Sequence, residues 1–252
     1  MTLIQAIVLG AIQGVTEFFP VSSSGHLVIF QALFGLKEPQ LAFDIFLHLG
    51  TLVSVLIFFR KDIIGFFSGG KKLLFYIVVA SIPTFIIGFL FKDAVERFCG
   101  MPKLVALMLG VTGAWLILVS LKAKKNKLKK DLGILNSIVI GIAQGIAIMP
   151  GISRSGATIG AGYLAGLDKE FSVKFSFLLA IPAILGASVL KVHKIGQGIT
   201  GSDTIVFLAG GITAMLVGIM SIKVLLKIVK NDKLYIFGLY CILMSLTGII
   251  LF

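Results

Sequence analysis

The chain has 252 residues, 58% of them hydrophobic and only 13% charged, with a mean hydropathy of +1.07. A soluble domain is about half apolar and about a quarter charged, so the composition excludes a soluble globular protein and points to an integral membrane protein. The 23 Lys and Arg against 11 Asp and Glu leave a net charge of +12, but no polar domain exists to turn it toward a nucleic acid, and it is read as a record of membrane orientation.

In chain order, the first stretch, Leu3 to Leu36, is apolar but broken at Pro20-Val21-Ser22-Ser23-Ser24-Gly25. The arm beyond that break, His26 to Leu36, falls well short of the roughly 17–25 residues a spanning helix needs. Three uninterrupted spans follow, Ala42 to Phe59, Leu73 to Phe91 and Leu104 to Leu121. After the basic linker Lys122 to Lys130, the stretch Leu132 to Leu167 is broken at Pro150-Gly151-Ile152-Ser153-Arg154-Ser155-Gly156, again leaving a short arm, Ala157 to Leu167. The spans Ser172 to Leu190, Ile205 to Ile222 and Leu234 to Phe252 complete the chain. The predicted fold is an all-α polytopic membrane protein with six transmembrane helices and two re-entrant helix hairpins. Irregular backbone at membrane depth survives only where protein or a water-filled cavity surrounds it. The two breaks are therefore predicted to meet in a shared polar pocket.

An internal repeat supports that pairing. At an offset of 131 residues, Gly10, Gln13, Gly14, Val21, Ser22, Ser24 and Gly25 align with Gly141, Gln144, Gly145, Ile152, Ser153, Ser155 and Gly156. At 130, Ile82, Gly88, Lys103 and Leu104 align with Ile212, Gly218, Lys233 and Leu234. The chain is thus expected to be one membrane domain, 1–252, with a first repeat over about 1–124 and a second over about 132–252. Each repeat is a hairpin followed by three spans. Three crossings are odd, which predicts an inverted-topology repeat with its site between the halves. Fifteen of the 23 Lys and Arg fall in loops on one side, six on the other, and Lys174 and Arg154 lie inside segments. The positive-inside rule makes the richer side cytoplasmic, which puts both termini and the mouth of the first hairpin outside. Cys99 and Cys241 lie in unlike settings and support neither a disulfide framework nor a zinc site. The N-terminus lacks the basic start of a cleaved signal peptide.

Ionisable residues at membrane depth are functional candidates by default. In the first hairpin these are Glu17 and His26, with Gln13 one turn before Glu17 on the same face. In the second, Ser153-Arg154-Ser155-Gly156 followed by Thr158 places hydroxyls and a guanidinium where a short helix should begin. Free N–H groups and the helix dipole favour anions there, and Arg offers a bidentate fork to phosphate. Ser22, Ser23, Ser24 and Gly25 form a second hydroxyl-rich turn. Two such turns meeting suit a diphosphate better than a single carboxylate. Each residue also has a plainer reading: the serines as helix N-caps, Arg154 as the ion-pair partner of Glu17, Gln13 as a bond to the neighbouring hairpin, and His26 as a satisfied core histidine. Asp44 and His48, one turn apart, either snorkel or support Glu17 or His26. Pro83 and Pro182 are expected to kink their helices, Trp115 has no partner visible in sequence, and His193 is placed in a solvated loop.

The run Gln13-Gly14-Val15-Thr16-Glu17 fits a Glu/Gln-x-x-x-Glu motif, and Pro150-Gly151-Ile152-Ser153-Arg154-Ser155-Gly156-Ala157-Thr158 fits Pro-Gly-x-Ser-Arg-Ser-x-x-Thr. With Val21-Ser22-Ser23-Ser24-Gly25-His26 between them, the chain resembles the bacterial undecaprenyl pyrophosphate phosphatase family linked to bacitracin resistance. The resemblance implies a membrane enzyme that removes the terminal phosphate of undecaprenyl pyrophosphate, giving the carrier lipid of cell-wall synthesis, at a divalent-metal site open to the outer face. The variable motif position is Gln13, which leaves Glu17 as the single motif carboxylate. On that reading Arg154 clamps phosphate, with Ser153, Ser155, Thr158, Ser22, Ser24, Gly151 and Gly156 around it. Glu17 and Gln13 hold Mg²⁺ or Ca²⁺; His26 is expected to be essential, as the nucleophile or as the acid or base partner of Ser23 or of water, and the nucleophile is left open between His26, Ser23 and water. The expected partners are the prenyl pyrophosphate lipid and the bilayer, with no nucleic acid and with a homodimer left open. The rival reading is a transporter or flippase of a phosphate-bearing lipid anion, which would use the same pocket without cleavage.

Overall fold

The computed structural model describes residues 1–36, 40–67, 69, 71–123, 132–195 and 201–252. Among them the chain forms eleven helices and no strand: α1 Leu3–Thr16, α2 Ser23–Leu33, α3 Leu41–Phe58, α4 Arg60–Gly65, α5 Lys71–Cys99, α6 Pro102–Ala123, α7 Ile134–Ile146, α8 Arg154–Leu164, α9 Lys169–Ile195, α10 Gly201–Lys230 and α11 Leu234–Leu251. Six of them, α3, α5, α6, α9, α10 and α11, are long and apolar enough to cross a bilayer, as the six sequence runs predict. This is a multi-pass membrane protein. Lys37 and most of the basic linker Lys122 to Lys130 lie outside the described residues. His193, expected in a loop, falls inside α9, while Pro83 and Pro182 sit within α5 and α9.

The broken stretches fold as the pairs α1 with α2 and α7 with α8. At about 1.5 Å per residue, α1 with 14 residues and α7 with 13 reach about two-thirds of a hydrocarbon core of about 30 Å. The second arms begin at Ser23 and Arg154, three residues before the arm bounds His26 and Ala157, and α8 starts at the Ser153-Arg154 turn where the sequence places the beginning of a short helix. The reason is capping: Ser22 Oγ accepts from the Gly25 N–H at 3.3 Å and Ser153 Oγ from the Gly156 N–H at 3.0 Å. The serines thus start each helix inside the break.

The first helix of each half of the chain packs against the other half. α1 packs on α10 of the second half, and α7 packs on α5 of the first. A Cβ on Gly10 would lie 2.4 Å from the Gly210 carbonyl oxygen, and one on Gly141 would lie 2.1 Å from that of Ala80. These two contacts correspond at the offsets of 131 and 130 residues seen in the sequence. Small residues let helix backbones approach closely where lipid supplies no hydrophobic drive for association. Large apolar side chains such as Phe67, Leu90, Val189 and Ile250 face outward, while Gln13, Glu17, His26, Thr51, Ser54, Ser153, Ser155, Thr158 and Ser176 are buried. Polar groups inside and apolar groups outside are the arrangement a lipid solvent imposes.

Candidate active site

The two breaks meet, and their junction is pinned by hydrogen bonds. The Gly151 N–H donates to Ser24 Oγ at 3.4 Å, and Ser155 Oγ donates to the Phe19 carbonyl at 3.1 Å. Thr112 on α6 donates its hydroxyl to the Gly151 carbonyl and accepts the Ser153 N–H, both at 3.0 Å. Trp115, one turn along, donates its indole N–H to the Gly156 carbonyl at 3.1 Å. Gly151 has φ +91°, and a Cβ there would lie 2.3 Å from the Val105 carbonyl oxygen, so a side chain is excluded on both grounds. The turn is held against α6, and Arg154 is held at the first position of α8.

Glu17, 6% exposed, is the hub. Its Oε1 takes Arg154 Nη2 at 2.5 Å, an ion pair between side chains from the two breaks. Its Oε2 accepts Ser23 Oγ at 2.6 Å and Gln13 Nε2 at 3.0 Å, with His48 Nε2 at 3.7 Å. Gln13 Oε1 and Arg154 Nη1 are buried without a hydrogen-bond partner. Buried orphans are rare in folded chains. Here one is an acceptor and one a donor, both beside the same carboxylate, so the cluster has unused capacity for a cation and an anion together.

The other expected site residues divide. Ser22 and Ser153 act as N-caps, and each also pairs with the serine two residues on, Ser24 at 3.3 Å and Ser155 at 3.2 Å. Thr158 donates to the Arg154 carbonyl at 2.8 Å and meets Ser176 Oγ of α9 at 2.6 Å, so its hydroxyl ties α8 to α9 and turns away from the guanidinium. The N–H groups of Gly151 and Gly156 are spent on Ser24 and Ser153. His26 takes its partners from its own turn and from α11. Its Nδ1 meets the Ser22 carbonyl and its Nε2 meets Tyr240 Oη, each at 2.8 Å, with the two rings stacked at 5.6 Å. The histidine that faces Glu17 is His48. Tyr240, Trp115, Thr112 and Ser176 escape a sequence reading because they lie in apolar spans and reach the breaks only through tertiary packing.

Among the described residues no three of His, Cys, Asp and Glu form a group fit to hold a metal ion. Glu17 with the orphaned Gln13 oxygen and the Ser23 hydroxyl is nevertheless an oxygen-rich set. It fits a hard divalent cation held by one carboxylate and completed by phosphate oxygens, rather than one caged by protein alone.

A family model described as bacitracin resistance protein BacA matches residues 6–247. A protein of Methanobrevibacter smithii named undecaprenyl-diphosphatase is 43% identical over 274 residues, spanning 100% of this chain and 97% of its own. Proteins of the same name from Desulfosudis oleivorans and Carboxydothermus hydrogenoformans are 44% and 42% identical; the first spans 97% of both chains, the second 100% of this chain and 98% of its own. With its two motifs joined at Glu17 and Arg154 and its whole length matched, this chain belongs to the BacA family of bacitracin resistance proteins.

Proposed function

We propose that the chain is an undecaprenyl-diphosphatase that converts undecaprenyl pyrophosphate to undecaprenyl phosphate and inorganic phosphate, recycling the carrier lipid of cell-wall synthesis. Support comes from the shared name of full-length relatives and from the 2.6 Å hydrogen bond between Ser23 and Glu17 beside Arg154. That bond is the observation that carries the mechanism. A hydroxyl donating to a carboxylate is an activated nucleophile paired with its base.

In this reading Arg154 presents Nη1 to the terminal phosphate, and its charge balances the non-bridging oxygens. Ser23 Oγ passes its proton to Glu17 and attacks the terminal phosphorus. The bond from that phosphorus to the bridging oxygen breaks, and undecaprenyl phosphate departs with the electron pair. Glu17 gives that proton to the departing phosphate; water, deprotonated by the restored carboxylate, then attacks the phosphoserine, inorganic phosphate leaves, and the proton held by Glu17 returns to Ser23 Oγ. His26, fixed by Ser22 and Tyr240, shapes the turn that carries Ser23. A divalent cation, Mg²⁺ or Ca²⁺, held by Glu17 and Gln13, would neutralise phosphate charge when bound. The two short helix pairs are read as re-entrant hairpins and the halves as inverted repeats, a reading supported by the paired α1–α10 and α7–α5 contacts. The charge asymmetry of the loops supports a site toward the outer face, with both termini outside.

The test is a rapid quench with a prenyl pyrophosphate. A phosphoenzyme that survives acid and is lost in Ser23→Ala but kept in His26→Ala supports the mechanism. An acid-labile one lost in His26→Ala transfers the nucleophile to His26. Flux of the lipid across liposomes with no release of inorganic phosphate would make the protein a carrier instead.

A further inference from the structure

We propose that His48 is a third ligand of the cation site, a nitrogen donor completing the set begun by Glu17 and Gln13. The inference rests on the metal-dependent phosphatase reading and deepens it. The two oxygens of Glu17 face different partners: Oε1 faces Arg154, while Oε2 faces Gln13, Ser23 and His48. The guanidinium and the cation therefore need not compete for one oxygen.

His48 comes from α3 with its ring already aligned. Its Nδ1 meets the backbone carbonyl of Asp44 at 2.7 Å. A carbonyl only accepts, so Nδ1 is the protonated nitrogen and Nε2 is the one turned to Glu17. Metal-binding imidazoles are commonly oriented in this way, by a backbone carbonyl on the far nitrogen. The carboxyl of Asp44 accepts from Gln31 Nε2 of α2 at 2.7 Å, which secures the turn of α3 that supplies the carbonyl.

The 3.7 Å between His48 Nε2 and Glu17 Oε2 is too long for a hydrogen bond. An octahedral ion with ligands at about 2.1 Å sets neighbouring ligands about 3.0 Å apart, so a cation bound between the two groups would draw them together by about 0.7 Å. Gln13 Oε1 is buried and unpartnered. Rotating the Gln13 amide by half a turn exchanges its nitrogen, now on Glu17 Oε2, for that oxygen without changing the shape of the side chain. The His48 side chain is 31% exposed against 4% for Glu17, so the ligand set opens toward the accessible end of the cluster. A chain with one motif carboxylate thus recruits an imidazole in place of a second. Such a mixed nitrogen and oxygen set favours Mn²⁺ over Ca²⁺, which takes oxygen ligands.

The experiment titrates Mn²⁺ into the purified full-length protein in nanodiscs and reads bound Mn²⁺ by pulsed electron paramagnetic resonance, in which a coordinated imidazole nitrogen gives a ¹⁴N modulation. The wild type should bind Mn²⁺ and show the modulation. His48→Gln should remove the modulation and weaken binding at least about tenfold. His48→Asp, an oxygen ligand, should restore affinity without the modulation, which separates lost coordination from misfolding. Replacing His26 and His193 by Gln should leave the modulation in place. Mn²⁺ bound to the wild type with no modulation, or a modulation that persists in His48→Gln, overturns the inference. Release of inorganic phosphate from a prenyl pyrophosphate is followed on the same samples. Continued wild-type release without the modulation sinks His48 as a ligand and leaves the function standing, whereas no wild-type release with any divalent cation sinks the function itself.

Discussion

Glu17 and Arg154 are each half of two arrangements, the ion pair observed and the anion site proposed, and substitutions separate them. Arg154→Ala removes the phosphate donor and should lower the rate of phosphate release about 10²–10³-fold or more. It also strands a buried carboxylate, which costs about 3–5 kcal/mol, so its thermal midpoint in detergent should fall below wild type. Changing Glu17 to Gln in the same chain should recover much of that stability and none of the activity. An Arg154→Ala protein that melts and turns over like wild type would remove the pair from both roles. Ser22 and Ser23 offer a second separation. Ser22→Ala loses an N-cap and about 1 kcal/mol of stability while keeping phosphate release, whereas Ser23→Ala loses one hydrogen bond to Glu17, at a cost of about 1–3 kcal/mol, and should abolish phosphate release. Stability curves and phosphate assays on the two variants distinguish a cap from a nucleophile. Along the chain, three consecutive serines are chemically alike. Only the fold assigns Ser22 to the Gly25 N–H and Ser23 to Glu17.

At the scale of elements, the short helices are positioned by groups that carry no chemistry themselves. Trp115 on α6 donates to the Gly156 carbonyl in the first turn of α8. Trp115→Phe leaves that carbonyl without its partner and should cost about 1–2 kcal/mol, with a fall in kcat larger than the change in KM because Arg154 stands two residues before Gly156. Equal loss of kcat in Trp115→Phe and in a distant lipid-facing control would refute that positioning role. The contact of α1 with α10 makes a second case. Gly10→Ala drives a methyl group toward a backbone oxygen 2.4 Å away, so the helices must separate, at a cost of about 1–3 kcal/mol. Differential scanning fluorimetry should show Gly10→Ala and Gly141→Ala lowering the midpoint alike. The existence of these helices is legible from hydropathy and from the two Pro-containing breaks. Their starts are legible only in part: the serines stand out as caps, but which hydroxyl meets which N–H is set by the fold. His193 is misread for a related reason: the lysines and glycines around it resemble a loop, yet α9 runs through Ile195.

For the whole molecule, the basic side is also where ion pairs join different elements: Lys169 of α9 to Asp232 between α10 and α11 at 2.5 Å, Lys230 of α10 to Glu170 of α9 at 2.9 Å, and Lys174 of α9 to Asp62 of α4. Exposed pairs of this kind contribute little each, so the orienting effect of the charge outweighs its effect on stability. The orientation is directly testable. In a variant without Cys99 and Cys241, an impermeant maleimide should label Thr2→Cys on intact cells and Lys61→Cys only after permeabilisation; the reverse pattern would place the site on the cytoplasmic face. Composition, the six runs, the internal offset of 131 residues and the two motifs are local or periodic properties of the chain. They by themselves determined a six-span helical membrane protein, its family resemblance and the two breaks where the polar groups collect. Which polar groups touch was decided only by the tertiary structure. Side chains 137 residues apart, such as Arg154 and Glu17, meet only after the first helix of each half packs against the other half, and that packing sets His48 rather than His26 against the carboxylate. Hydropathy and spacing run along the chain, while hydrogen-bond partners are chosen across it.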